Sequence, residues 1–320
     1  MRLDLALIAR HPQLSRRRAR EVIEKGQVTL AGQVVLEPGF GVAPDAPLEW
    51  DPNRKARSRV RASLPILHED DSVLVIDKPA GLLTVPTAPG IDDEDTALAR
   101  VAEYVGRRRP RRPYVGVVHR IDRETSGAVA FALDPQTRSA LRALFRRHEI
   151  TRHYLALVAG SPPADSGTID APIHDEYVGG RRRVGRPGEA SKPALTRYRV
   201  VERFHGAALL EVELETGRQH QIRLHLAHVG LPVLGDAVYA APGAGHSGMP
   251  VGRHLLHARL LAFVDPLSGR AVRAESPIPR DFLDALNGLR ARATGRAQPP
   301  GRLKRPGAPP GSGRGRRAQR

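Results

Sequence analysis

The chain has 320 residues, 40% of them hydrophobic, and carries 51 Lys plus Arg against 34 Asp plus Glu for a net charge of +17. That is apolar enough to build a core and basic enough to gather on polyanions, nucleic acid first among them. Lacking cysteine, it can hold no disulfide framework, no thiolate nucleophile and no Cys-ligated metal site. With no apolar run near ~20 residues, and Asp4 interrupting a short apolar start, the expectation is a cytoplasmic protein with no signal peptide and no membrane partner.

The first fifty residues predict a small helix-helix-hairpin unit. Leu3, Leu7 and Ile8 mark a short helix, and Ser15 is placed to cap a second one whose Ala19, Val22 and Ile23 form an apolar stripe ending at Gly26. Val28 and Leu30, then Val34 and Leu36, alternate on either side of Ala31-Gly32 and predict a hairpin. The unit closes near Trp50, over residues 1–52, and the basic stretch with Arg54, Lys55, Arg57, Arg59 and Arg61 reads as a linker over 53–63.

A larger α+β pattern spans 64–290. Val73 to Ile76 predicts a buried strand; Leu98, Val101, Ala102 and Val105 a helix; Asp134-Pro135 the start of a helix bearing Leu141, Leu144 and Phe145. The acidic run Asp92 to Asp95 suits the N-terminus of the helix that follows it. Leu210, Val212 and Leu214 alternate with glutamates as in a half-wet strand, after which Thr216 can cap a helix with Ile222, Leu226 and Val229 inward and Gly230 as its stop. Strands and helices do not alternate regularly, which favours a mixed or antiparallel sheet. From Ala291 to Arg320 there are nine Lys or Arg and no acid among repeated Gly and Pro, so 291–320 reads as a disordered basic tail.

Chemistry concentrates in three places. In Val118 to Gly127 an apolar segment ends in a polar turn, with Asp122 between Arg120 and Arg123 and therefore expected to be ionised. Such a carboxylate can serve as nucleophile or base; the same spacing also suits a turn aspartate bonded to the backbone near Thr125. Thr216 to Arg223 puts Arg218 and Arg223 around a strand-to-helix turn, suited to a forked grip on a carboxylate or phosphate or simply to solvent. Tyr154 shares a strand face with Ala156 and Val158, where it could stack on a base or fill a core. His220, His225 and His228 diverge around a helix and do not suggest a metal site.

Together these segments resemble the RluA-type pseudouridine synthases. His119-Arg120-Ile121-Asp122-Arg123-Glu124-Thr125-Ser126-Gly127 resembles the family signature. Further blocks occur in order: Ile76 to Leu82 before it, then Arg152 to Leu157, Thr216 to Arg223 leading to Gly235-Asp236, and Leu256-His257-Ala258. Arg152 stands where the family usually has Lys, and Ile121 where it usually has Leu. The first fifty residues resemble the small RNA-binding module first seen in a ribosomal small-subunit protein, through Arg2-Leu3-Asp4, Ser15-Arg16 and Gly26-Gln27-Val28.

The resemblance implies a mixed, mostly antiparallel central sheet with flanking helices and an active-site cleft, plus a small amino-terminal α+β RNA-binding module. It implies isomerisation of uridine to pseudouridine in RNA, with ribosomal RNA of the large subunit ahead of tRNA, no cofactor and no metal; a monomer is expected. Asp122 is then the catalytic carboxylate, Arg223 the residue that orients it through a fork, and Tyr154 the residue that stacks on the uracil. Arg120 enters the space left by a flipped-out base. His119, Lys78 and Leu256 complete the substrate site, Leu256 as a wall and Lys78 by shaping it. Two other readings use the same residues: a catalytically silent RNA-binding or ribosome-assembly factor on this fold, and an RNA glycosylase.

Overall fold

The computed structural model describes residues 1–35, 38–43, 45–54, 64–88, 95–111, 113–177, 179, 181–240 and 251–293. Leu36, most of the basic linker, Asp92 to Glu94 and the tail beyond Ala293 lie outside the described residues. The chain divides into two compact units, Met1–Ser63 and Leu64–Arg320.

The first unit contains helices α1 (Leu3–Arg10) and α2 (Arg16–Glu24) and strands β1 (Val28–Leu30), β2 (Gln33–Val34) and β3 (Leu48–Trp50). The Ser15 hydroxyl caps α2 by accepting from the Arg18 N–H at 3.2 Å, and Leu3, Leu7, Ala19, Val22 and Ile23 form the core. Ala31 and Gly32 both have positive φ, 50° and 78°, the turn that matches the twist of a two-residue hairpin. Strand β3, which the sequence pattern did not single out, pairs with β1 and makes a three-stranded sheet. Asp4 is buried and held by Arg2 through two bonds of 3.0 Å, with the Arg16 and Arg20 guanidinia at 4.0 Å. Hydrogen bonding by Arg2 outweighs burial and keeps its pKa low. One buried carboxylate thus gathers three surface cations.

The second unit begins with β4 (Ile66–Glu69), β5 (Val73–Lys78), α3 (Ala97–Arg108), β6 (Gly116–Val117), β7 (Ser126–Ala132), α4 (Pro135–Arg147) and β8 (Thr151–Ala159). It continues with β9 (Ser166–Asp170), β10 (Ile173–His174), β11 (Ser191–Lys192), β12 (Leu195–Phe204), β13 (Ala207–Leu214) and α5 (Gln221–His228), and ends with β14 (Leu256–Val264), β15 (Ala271–Glu275) and α6 (Arg280–Ala293). Ten of these strands form one sheet in the order β4-β5-β7-β14-β8-β13-β12-β9, with β15 on β14 and β6 on β7. Among the described strands only the β7–β14 pairing is parallel, so the sheet is mixed and mostly antiparallel, as expected.

Alternation along the strands sorts the helices. Leu74 and Ile76 of β5 and Tyr154, Ala156 and Val158 of β8 share a face with Val101 and Val105 of α3 and Ile222 and Leu226 of α5. Val73 and Val75 turn the other way, to Leu141 and Leu144 of α4; Leu155 and Leu157 turn likewise to Phe282 and Leu286 of α6. Burying each such side chain contributes roughly 1.5–3 kcal/mol.

Three sequence expectations need correction. Thr216 does not cap α5: that helix starts at Gln221 behind His220, whose φ is 58° and whose side chain makes no cap bond. Thr216 instead accepts from the Leu195 N–H and donates to the Gln221 amide oxygen, because the turn is tied sideways to β12. Val229 lies past the helix end and is exposed. The last helix takes in Ala291 to Ala293, since Ala and Arg propagate a helix readily.

Gly127 opens β7 with φ 118°, and a Cβ there would lie 2.2 Å from the Ala258 carbonyl oxygen on β14. The one parallel pairing therefore depends on the absence of a side chain. Gly127→Ala should destabilise the unit by about 4 kcal/mol or more, seen as a large fall in Tm or loss of soluble protein.

Candidate active site

Between β6 and β7 the chain runs through His119 to Thr125 as a loop whose polar backbone is answered almost group by group. Thr84 Oγ1 donates to the Ile121 carbonyl (2.8 Å) and receives the Ile121 N–H. Gly81 N–H and Lys78 Nζ both donate to the Arg123 carbonyl, at 3.0 and 2.9 Å. Arg253 Nη1 donates to the Glu124 carbonyl (2.9 Å), while Thr125 and Ser126 hydroxyls meet His254 and His257. A loop satisfied this fully holds its side chains in one geometry. Asp122, at its apex, projects into a cavity of about 420 Å³, a size ordinary for small-ligand sites.

Asp122 Oδ2 accepts from Arg223 Nη1 at 3.1 Å; Oδ1 has no hydrogen-bond partner among the described residues. The fork of Arg223 grips another acid: Nε and Nη2 donate to Asp236 at 2.7 and 2.9 Å. The expected forked grip on Asp122 is therefore corrected to a single bond, with the fork anchoring the guanidinium to Asp236. Burial opposes the charge on Arg223, but Asp236 and Asp122 outweigh it and raise its pKa. Asp236 is buried too, yet Arg223 and the N–H groups of Val238 and Tyr239 hold its carboxyl below the usual range.

His220 stands 3.9 Å from Asp122 through Nε2. Tyr239 Oη accepts from the Arg182 N–H and shares a hydrogen bond with His220 Nδ1, both at 2.9 Å. Burial keeps the ring's pKa low despite Asp122, so it is neutral. Tyr239 also lies beneath Arg223, 5.2 Å from ring centroid to guanidinium.

Of the residues singled out from sequence, Asp122, Tyr154, Arg223, Arg120, His119 and Leu256 all line this cavity. Tyr154 is 8% exposed; burial, with Asp122 adding and Arg152 opposing, raises its hydroxyl pKa, so it stays protonated. Arg120 is exposed at the rim. His119 differs from expectation in how it serves the site. Its Nε2 accepts the Ala130 N–H at 2.9 Å and its ring stacks on Phe145, while burial pushes its pKa down to about 3. It is a neutral strut in the wall.

Lys78 is not part of the lining. Its Nζ is wholly buried and donates to the carbonyls of Pro79, Leu82 and Arg123 at 2.7–2.9 Å, and burial lowers its pKa to about 7. It joins two loops behind the site, so it can shape the site, as expected, but does not reach the substrate cavity. Among the described residues no group of three or more His, Asp or Glu could hold a metal ion: His225 is spent on Thr196 and the Ala171 carbonyl. Nor is any described helix long and apolar enough to cross a membrane.

Burial pushes His254 and His257, behind the loop, down to about 4 from 6.5. With His119 they form three imidazoles that the unfolded chain protonates first. Their contribution to stability is whole above pH 6.5 and is lost as the pH falls toward 4, up to ~1.4 kcal/mol per histidine per pH unit. Tm measured in a common buffer should therefore fall by about 10 °C or more between pH 7 and pH 5, well before the carboxylates titrate.

Residues 72–228 match the family described as RNA pseudouridylate synthase, and residues 1–47 match the S4 domain. The ribosomal large subunit pseudouridine synthase D of Xanthomonas campestris pv. campestris is 35% identical over 307 residues, covering 90% of this chain and 89% of its own. The chain belongs to the RNA pseudouridylate synthase family. The similarly named protein of Pseudomonas aeruginosa is 36% identical to the synthase over 301 residues, covering 90% and 92%. Human RNA pseudouridylate synthase domain containing 4 shares the fold with a TM-score of 0.59 and 25% identity, covering 71% of this chain and 93% of its own.

For this synthase, sequence reasoning passed over three members of the site. Asp236 was only the end of a matching block, and nothing in its spacing from Arg223 announces a buried fork. His220 stands in the sequence only as one of three diverging histidines, and Tyr239 lies in no matching block. The last two are brought in by a left-handed residue and by a turn, which local patterns do not signal.

Proposed function

We propose that this synthase isomerises particular uridines of large-subunit ribosomal RNA in the cytoplasm, with Asp122 as the catalytic carboxylate. The observation that carries the reading is the state of that carboxylate: one oxygen is tied to an arginine that is itself anchored by Asp236, and the other is open to a cavity walled by Tyr154 and Leu256. The choice of RNA rests on the two curated relatives, both named for the large ribosomal subunit, and on the amino-terminal S4 domain with its clustered arginines.

The reaction breaks the bond from the ribose C1′ to N1 of uracil, turns the base, and forms a bond from C1′ to C5. The C5 proton leaves and a proton ends on N1, so composition is unchanged and no redox partner is needed. Asp122 starts cleavage either by attacking carbon or by removing a proton; its open oxygen suits both. Tyr154 packs against the detached uracil and, being protonated, can donate from its hydroxyl. A base stacked in RNA cannot reach this cavity, so it must be flipped out, and exposed Arg120 at the rim is placed to fill the gap. Turnover should survive EDTA, measured on RNA that stays folded without divalent ions.

Incubating the full chain with large-subunit ribosomal RNA, followed by mass spectrometry of nucleosides and of intact fragments, tests the reading. Conversion of uridine at unchanged RNA mass is the expected result. Loss of uracil would make the protein a glycosylase, and no change in any ribosomal RNA would leave only binding. Mapping pseudouridines in RNA from a deletion strain then identifies the site.

A further inference from the structure

Three arginines of the second unit are deeply buried, Arg152, Arg223 and Arg253. Two of them clasp a carboxylate in a fork, Asp236 for Arg223 and Asp281 for Arg253. Arg152 has none. Its Nη2 donates to the Leu214 carbonyl at 2.9 Å and its guanidinium lies 5.8 Å from the centroid of the Phe145 ring. Its Nε is buried without any hydrogen-bond partner, and among the described residues no carboxylate comes within 4.0 Å.

An unpaired buried charge is destabilising, and protein interiors usually supply the partner. Here it lines the cavity, one step along β8 from Tyr154 on the same face, about 7 Å away. Arg142 and Arg146 from the exposed side of α4 and Arg218 from the turn before α5 line the same cavity, and none of them has a carboxylate within 4.0 Å among the described residues. Among the described residues the only acid in the lining is Asp122, already held by Arg223. Gly217 contributes by its size: a Cβ there would lie 2.8 Å from Arg152 Nη1, so the turn leaves room for a charge that no described carboxylate neutralises.

We propose that the cavity contains a second subsite, for a backbone phosphate of the target nucleotide, with Arg152 at its base and Arg142, Arg146 and Arg218 around it. Guanidinium N–H groups match phosphodiester oxygens, and Nη1 of Arg152 has no hydrogen-bond partner among the described residues. Its spacing from Tyr154 puts base and phosphate of one nucleotide on a single strand face. The subsite rests on the reading of the substrate as a uridine in RNA, and it assigns Arg152 a duty separate from the chemistry at Asp122.

The test is calorimetric titration of the full chain, in buffer free of phosphate and sulfate, with uridine, uridine 5′-monophosphate and uridine 3′-monophosphate. At least one monophosphate should bind about tenfold or more tightly than uridine, the scale of one charge-assisted contact. Arg152→Met should erase that preference while leaving uridine affinity unchanged, and Arg152→Lys should keep most of it. Arg146→Ala, on the exposed side of α4 where folding is not at risk, should reduce the preference about threefold. Equal binding of uridine and both monophosphates by the parent would overturn the proposal, as would an undiminished preference in both Arg152→Met and Arg146→Ala. Because binding is read without turnover, a chain that makes no pseudouridine but shows the Arg152-dependent preference would sink the reaction and keep the subsite.

Discussion

Asp122→Asn should form pseudouridine at less than about 10⁻⁴ of the parental rate, a loss of the size seen when a nucleophile is removed from a preorganised site, with Tm and RNA affinity nearly unchanged. The amide has the shape of the carboxylate, and its oxygen can still accept from Arg223 Nη1. The loop around it is held by Thr84, Lys78, Gly81 and Arg253 through backbone groups that the substitution does not touch. What disappears is the negative charge on the open oxygen. Single-turnover assays on ribosomal RNA, with RNA binding measured in parallel, check this; turnover within a factor of ten of the parent would remove Asp122 from the chemistry.

Arg223→Lys should show two losses at once. A lysine ammonium can meet Asp122 or Asp236 but cannot reproduce a fork on one and a third bond to the other, so at least one acid loses its partner. Asp236 is 3% exposed, and breaking a buried pair costs about 3–5 kcal/mol, which for a unit of this size means a Tm lower by about 10 °C. With Asp122 no longer oriented, kcat should fall about 10²–10³-fold while KM changes little. Asp236→Asn separates the two effects: it keeps the Arg223 bond to Asp122 but frees the guanidinium to swing, so kcat should fall less than in Arg223→Lys. An increase in KM at constant kcat for Arg223→Lys would make the residue a phosphate contact instead.

Much of this protein is local and therefore legible in the chain. The Ser15 and Asp134 caps, the Ala31-Gly32 hairpin, the buried run Val73 to Ile76 and the alternation from Leu210 to Leu214 depend on neighbours within a few residues, and each appears where the pattern puts it. The same holds for the residue types at the site: Asp122, Tyr154, Arg120 and Leu256 stand in recognisable blocks, and the chain's order of blocks carries the family. Tertiary structure decided the pairings between those blocks. Whether Arg223 forks onto Asp122 or onto Asp236 depends on how the turn at Asp236 closes against α5. Lys78 lies behind the cavity because three carbonyls from two separate loops converge on its ammonium. Arg152 is unpaired among the described residues because none of their acids folds toward it. Hydrogen bonds and charges act over a few ångströms in space, whatever the distance along the chain, so the partners of a buried polar group are known only once the strands that carry them have been laid side by side.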